Sequence, residues 1–280
     1  MKKTVLFWIL SFVITIITAY YQRVTGPTYP LSGTSEFDNN SIRYKFERSH
    51  SCSENASVIV PVSSMTTEGV LKWKRYKTTD SFTVVKMGQT EGKLVAELPK
   101  QPSAGKLEYF VVLTNGDKQL KMPEKQNIVI RFKGDVPPWI LIPHIIAMFG
   151  TMLLSTRTGL EFFNKGYNLK KLTFWTLGFL IIGGMVLGPL TQLYAFNALW
   201  TGIPFGTDLT DNKTLIALAG WLIALIALYK AKRPEAWALF AAVLLTAVYM
   251  IPHSLFGSEL DYNKMEKQQK SVETIKPWQD

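Results

Sequence analysis

The chain has 280 residues, 47% of them hydrophobic, with a formal net charge of +10 and a single cysteine, Cys52. Its mean hydropathy of +0.09 averages two unlike populations, a polar block from about Gln22 to Val136 and a strongly apolar remainder, which reads as one extramembrane domain plus a membrane part. The lone cysteine excludes an intrachain disulfide and a CxxC metal site, and the charge is not laid out as a basic stripe with stacking aromatics, so no nucleic-acid partner is expected.

The first apolar run, Thr4 to Tyr21, follows MKK and has the length of one membrane crossing, about 20 residues. No small-x-small site closes it, and bulky Tyr20-Tyr21-Gln22 follows, so it is expected to be an uncleaved anchor with its N-terminus inside. RVTGPTYPLSG then reads as a stiff linker, because Gly26, Pro27 and Pro30 break helix.

From Ser41 the period changes to two. Ile42, Tyr44 and Phe46 alternate with Arg43, Lys45 and Glu47, as in a half-buried strand. Further strand-like runs cover Ala56 to Val62, Gly69 to Tyr76, Ser81 to Met87, Lys93 to Leu98, Lys106 to Leu113 and Asn127 to Phe132, separated by turn signals such as Asn115-Gly116. About seven short strands in roughly 100 residues is the count of an immunoglobulin-type sandwich. The strand rhythm, with Trp73 and Tyr109, resembles the fibronectin type III and related immunoglobulin-like domains of bacterial envelope proteins. The resemblance covers about a third of the chain. It implies an all-β sandwich over 27–135, a binding or spacer role, and Tyr109 as a corner tyrosine. It implies no catalytic residue.

Four more apolar runs follow, expected as spans over 138–156, 172–190, 214–230 and 235–252. Gly184 and Gly188 in the third run are four apart and permit close helix packing. Two short basic loops, with Arg157, Lys165, Lys170 and Lys171 in one and Lys230, Lys232 and Arg233 in the other, mark the cytoplasmic side. The expected fold is therefore a membrane α-helical bundle of five transmembrane helices with an inserted immunoglobulin-like sandwich. The N-terminus is inside a bacterial inner membrane. The sandwich, the aromatic loop 191–213 and the tail 253–280 face the periplasm, with the sandwich held close to that loop by short linkers.

No HExxH, GxxxxGK[ST] or GxSxG signature is present, and no ionisable residue falls at the middle of an expected span. Polar chemistry collects at the periplasmic rim, where His144, His253, Asp208, Asp211 and Glu259 form a candidate divalent-metal set, and His144 with His253 a candidate haem pair. Against this, a histidine at a helix end is often only an amphipathic side chain, and Asp211 or Thr210 is placed to cap the fourth span. Trp200 and Phe205 mark an aromatic surface groove for lipid or quinone. The leading expectation is a non-enzymatic envelope component, in contact with membrane lipid, that docks a protein partner. A metal- or haem-dependent membrane enzyme is the alternative.

Overall fold

A computed structural model describes residues 2–252, 257 and 259–274. The chain divides into a helical unit, formed from 1–27 and 136–258, and a β unit, formed from 28–135 and the C-terminal segment from Glu259.

The helical unit opens with α1, Lys2–Thr25. After the β unit come α2, Pro138–Gly159, extended by a 3-10 turn Leu160–Asn164, and α3, Leu169–Leu180, which passes through a π-helical turn Ile181–Leu187 into α4, Gly188–Phe196. α5 is Leu209–Lys230 and α6 is Pro234–Met250. Pro138 and Pro234 open their helices where a missing N–H costs nothing. Four continuous stretches, Lys3–Thr25, Pro138–Asn164, Leu169–Phe196 and Leu209–Lys230, are long and apolar enough to cross a membrane, while α6 is apolar but shorter, at 17 residues. The third helical stretch runs six residues past the expected Leu190, and α5 begins five residues before Thr214. The loop expected over 191–213 is thereby reduced to 197–208.

The buried cluster of this unit combines small and large residues: Ala217, Ala224, Ala241 and Ala242 group with Leu177, Leu180, Leu245, Tyr249 and Trp221, which is fully buried. A Cβ on Gly159 would lie 2.6 Å from the Ala242 methyl, so α2 and α6 pack at backbone distance. The close approaches of the third helix are made by Gly183, against Ala147 and Met148 of α2, and by Gly184, against Thr214 of α5. Gly188 makes no comparable approach to another helix, because the π turn shifts the register of the expected Gly184–Gly188 face. Large apolar side chains such as Ile9, Phe12, Ile146, Ile182, Ile226 and Phe240 point outward, the inverse of a soluble surface. α1 buries only a stripe of Phe7, Ser11, Thr15 and Thr18, and the two hydroxyls at 11 and 15 bond back to carbonyls of their own helix.

The β unit has eleven strands among the described residues. β1, Leu31–Phe37, and β2, Asn40–Phe46, form a hairpin closed by Asp38 and Asn39, both at positive φ as a tight two-residue turn requires. This shortens the expected linker to 26–30. β3 is Ser49–Ser51, β4 Ala56–Pro61, β5 Glu68–Arg75, β6 Thr83–Lys86, β7 Gly88–Thr90, β8 Lys93–Leu98, β9 Lys106–Asn115, β10 Lys118–Met122 and β11 Ile128–Lys133. One sheet runs β3-β11-β9-β5-β6, with β10 also paired to β9; a second runs β4-β8-β7. All pairings are antiparallel except that of β3 with β11. The inward residues of all three sheets share one core, with Phe46, Leu71, Leu94, Val111 and Phe132 at its centre. Tyr109 lies in that core, but its hydroxyl donates to the carbonyl of Glu47, 2.9 Å away and 62 residues upstream, so it does not close the local bond of a corner tyrosine.

The segment expected as a tail over 253–280 carries α7, Tyr262–Thr274, which belongs to the β unit. Tyr262 is buried and donates to Gln101 Oε1 (3.0 Å), with the Lys106 carbonyl 3.2 Å from the same hydroxyl, and the Leu260 N–H donates to the Ala104 carbonyl. The Arg75 guanidinium lies over the Tyr262 ring and pairs with Glu266 as well as Asp80.

Candidate functional site

At one end of the helical unit, α4 stops at Asn197, whose left-handed backbone turns the chain out and whose N–H donates to the Leu193 carbonyl. The loop 197–208 then folds back on the start of α5. Asp208 caps α5 by accepting from the Thr210 N–H at 2.7 Å, which relieves an orphan donor and places a carboxylate on the positive end of the helix. Asp211, one turn in and buried, accepts from the N–H groups of Thr201 (2.6 Å) and Gly202 (3.0 Å) and from the Thr201 hydroxyl (3.3 Å). Asn212 accepts from the Ile203 N–H, and Gln192 of α4 donates to the Thr201 hydroxyl at 2.6 Å. Gly202 is required for this approach, since a Cβ there would sit 2.6 Å from that of Asp211. The cap expected at Thr210 or Asp211 is therefore Asp208, and Asp211 is the latch that fixes the loop. Trp200 bonds its indole N–H to the Ile203 carbonyl, while Phe205 stands 82% exposed.

His144 lies two turns inside α2. Its Nδ1 is 3.0 Å from the Gly183 carbonyl, so Nδ1 carries the hydrogen. That carbonyl belongs to the π turn, where it also accepts from Gly188 N–H. Pro189 follows directly and has no N–H to close the ordinary helical bond, so the register loosens just before it. Nearby in sequence to the latch, Lys213 is buried and donates to the Ile251 carbonyl at 2.9 Å, with the Tyr249 ring 6.0 Å from its ammonium. Gln22 of α1 donates to the Tyr249 carbonyl.

A second polar centre occupies the other end. Arg157 and Glu161, 1% and 0% exposed, form an ion pair with Nη1 2.7 Å from Oε1. Glu161 also accepts from the Asn168 N–H at 3.1 Å and lies 3.3 Å from the Asn164 amide. The guanidinium carbon lies 5.5–5.6 Å from the rings of Trp8 and Phe7 in α1, a cation–π contact on a desolvated cation. Alongside, Thr158 and Thr176 join α2 to α3 by a 3.0 Å hydroxyl bond. Arg157 is thus not one of the exposed basic-loop residues. The sequence carried a signal for this pair in its i, i+4 spacing, and for Lys213 in its position at the head of an apolar run.

The residues expected to form a metal set are separately committed. Asp208 and Asp211 hold the loop, and His144 bonds the π turn. Glu259 belongs to the β unit, where it pairs with Lys106 (2.8 Å) and Lys77 (3.1 Å). Burial alone would raise the Glu259 carboxyl, but the bonds and charge of Lys106 and Lys77 outweigh it and hold it below the usual carboxylate value. His253 lies outside the described residues. Among the described residues no three His, Cys, Asp or Glu side chains come together as a metal set. No protein-family model matches the chain, and neither a curated protein nor a solved structure matches it.

Proposed function

We propose that the chain is a bacterial inner-membrane protein with five crossings, whose immunoglobulin-like domain and C-terminal helix face the periplasm and dock a protein partner without catalysing a reaction. One observation carries the architecture: the segment from Glu259 belongs to the same unit as 28–135. A chain that leaves the β unit at 135 and rejoins it at 259 must cross the membrane an even number of times in between. Four crossings, by α2, the α3–α4 helix, α5 and α6, satisfy this. At 17 residues α6 is about 25 Å long, a few ångströms short of the hydrocarbon core, a mismatch that local thinning and the flanking Lys230, Lys232 and Arg233 accommodate. These cations are exposed, as are Lys165, Lys170 and Lys171, which supports a cytoplasmic face there.

The strand order supports the immunoglobulin-like reading. β11-β9-β5 stand side by side as the last, penultimate and third strands of such a domain do, β4-β8-β7 form the opposing sheet, and β3 pairs in parallel with the final strand. The stretch 83–90 borders both sheets, as β6 in one and β7 in the other, with Val84 exposed. An unpaired edge with an outward apolar side chain supports docking by strand addition. Chemical cross-linking in native membranes followed by purification in mild detergent tests the function. A defined protein neighbour, lost in Val84→Lys with unchanged thermal stability, is the expected result; a monomer without a cross-linked neighbour contradicts it.

A further inference from the structure

The helical unit carries a groove of about 370 Å³ between α1, α2 and α6, lined by Ile14, by Thr156 and Leu160, and by Leu239, Thr246 and Met250. From Leu239 to Met250 it follows α6 for about 17 Å, the rise of eleven helical residues. Its only hydroxyls are already used: Thr156 donates to the Met152 carbonyl and Thr246 to the Ala242 carbonyl, each at 2.9 Å. Both threonines therefore present methyl groups, and the groove offers hydrocarbon with no polar group to satisfy. Its depth has a structural cause. Gly159 brings α2 to backbone distance from Ala242, and small Ala247 leaves the adjoining floor low.

Two cations lie beyond the Leu239 end of the groove, outside its lining. Arg233 precedes α6, about 9 Å along the axis from Leu239. Its side chain is 72% exposed, and its guanidinium lies 5.7 Å from the ring of Phe162, two residues beyond Leu160. Lys232 beside it is exposed as well. Glu235 approaches Arg233 only to 3.6 Å and leaves donors of the fork directed to solvent.

We propose that this groove is a binding site for one acyl chain of an anionic phospholipid, whose phosphate is held by Arg233 at the level of the basic loops. The length, the satisfied lining and the cations beyond one end together match a headgroup-and-tail ligand. A second copy or a partner's helix would not need the terminal charge. The inference rests on the membrane reading of the helices, and the experiment separates the two.

The full chain is reconstituted into vesicles doped with phosphatidylglycerol or phosphatidylcholine bearing a photoactivatable acyl chain, and cross-linked residues are mapped. The expected result is labelling of 239–250 and 156–160 well above that of outward positions such as Ile182, and more from the phosphatidylglycerol probe. Val243→Trp or Ala247→Phe should remove the excess in the groove and leave labelling at Ile182 unchanged. Arg233→Gln should reduce the preference for the anionic probe by about fivefold, the worth of one interfacial cation. Labelling spread evenly over all outward positions, or unaltered by both filled-groove variants, overturns the lipid site. Absence of labelling at Ile182 as well would instead overturn the membrane reading.

Discussion

Asp211 and Arg157 illustrate two uses of a buried charge. Asp211 accepts three bonds from the loop it holds, so Asp211→Ala leaves two backbone donors near Gly202 without a carboxylate. The expected cost is about 1–3 kcal/mol, read as a lower thermal midpoint in detergent together with faster proteolysis within 197–208. Arg157 and Glu161 neutralise one another in a fully desolvated setting. Glu161→Gln alone is expected to destabilise by about 3–5 kcal/mol, because it strands a buried cation, whereas the double variant Arg157→Met, Glu161→Leu should recover most of that loss. A double variant no more stable than the single would show that the pair does more than neutralise itself.

At the scale of the element, α7 is held by ion pairs and one buried ring. The Glu259 carboxyl lies below its usual value in the folded chain, so its contribution is complete above the unfolded carboxylate range, about pH 4.3. It is lost as pH falls through the lower folded value. Amide exchange of α7, corrected for intrinsic pH dependence, should therefore accelerate below about pH 4, and Glu259→Gln should reduce that acceleration. Tyr262→Ala should release the helix at neutral pH, since losing a buried aromatic costs on the order of 3 kcal/mol. Unchanged exchange in that variant would show that α7 is held by other contacts. The docking of this element was not legible in the sequence. YNKMEKQQKSVET has only Tyr262, Met265 and Val272 as apolar residues, and the attachment of this segment depends on Arg75, Lys77, Gln101 and Lys106, which are far from it in sequence. β1 was hidden for another reason: its inward positions alternate strictly, but Gly33 and Ser35 fill two of them, so LSGTSEF shows little apolar periodicity.

For the molecule as a whole, more could be read in advance. Alternation at Ile42, Tyr44 and Phe46 marked β2, and the runs starting at Ala56, Gly69, Lys93, Lys106 and Asn127 fall on β4, β5, β8, β9 and β11. The apolar stretches located all the helices of the helical unit but misplaced their ends, because a helix can continue through polar residues such as Gln192 and Asp211 when a loop bonds them. The polar rim was harder. Residue type and proximity in sequence grouped His144, Asp208, Asp211 and Glu259 as ligands. Their partners, a π-turn carbonyl, a helix end, a loop and two lysines, are long-range or backbone features that composition does not display.

In the proposed topology the β unit and C-terminal helix lie on one side of a membrane and the two basic loops on the other. In a Cys52→Ser background, Lys264→Cys in α7, Asn40→Cys in β2, Lys165→Cys and Lys232→Cys are exposed positions that report the two sides. In spheroplasts treated with a membrane-impermeant maleimide, the cysteines at 264 and 40 should be labelled without lysis. Those at 165 and 232 should be labelled only after the membrane is opened. Labelling of 264 and 40 on opposite sides, or of 165 together with 40, would contradict the account.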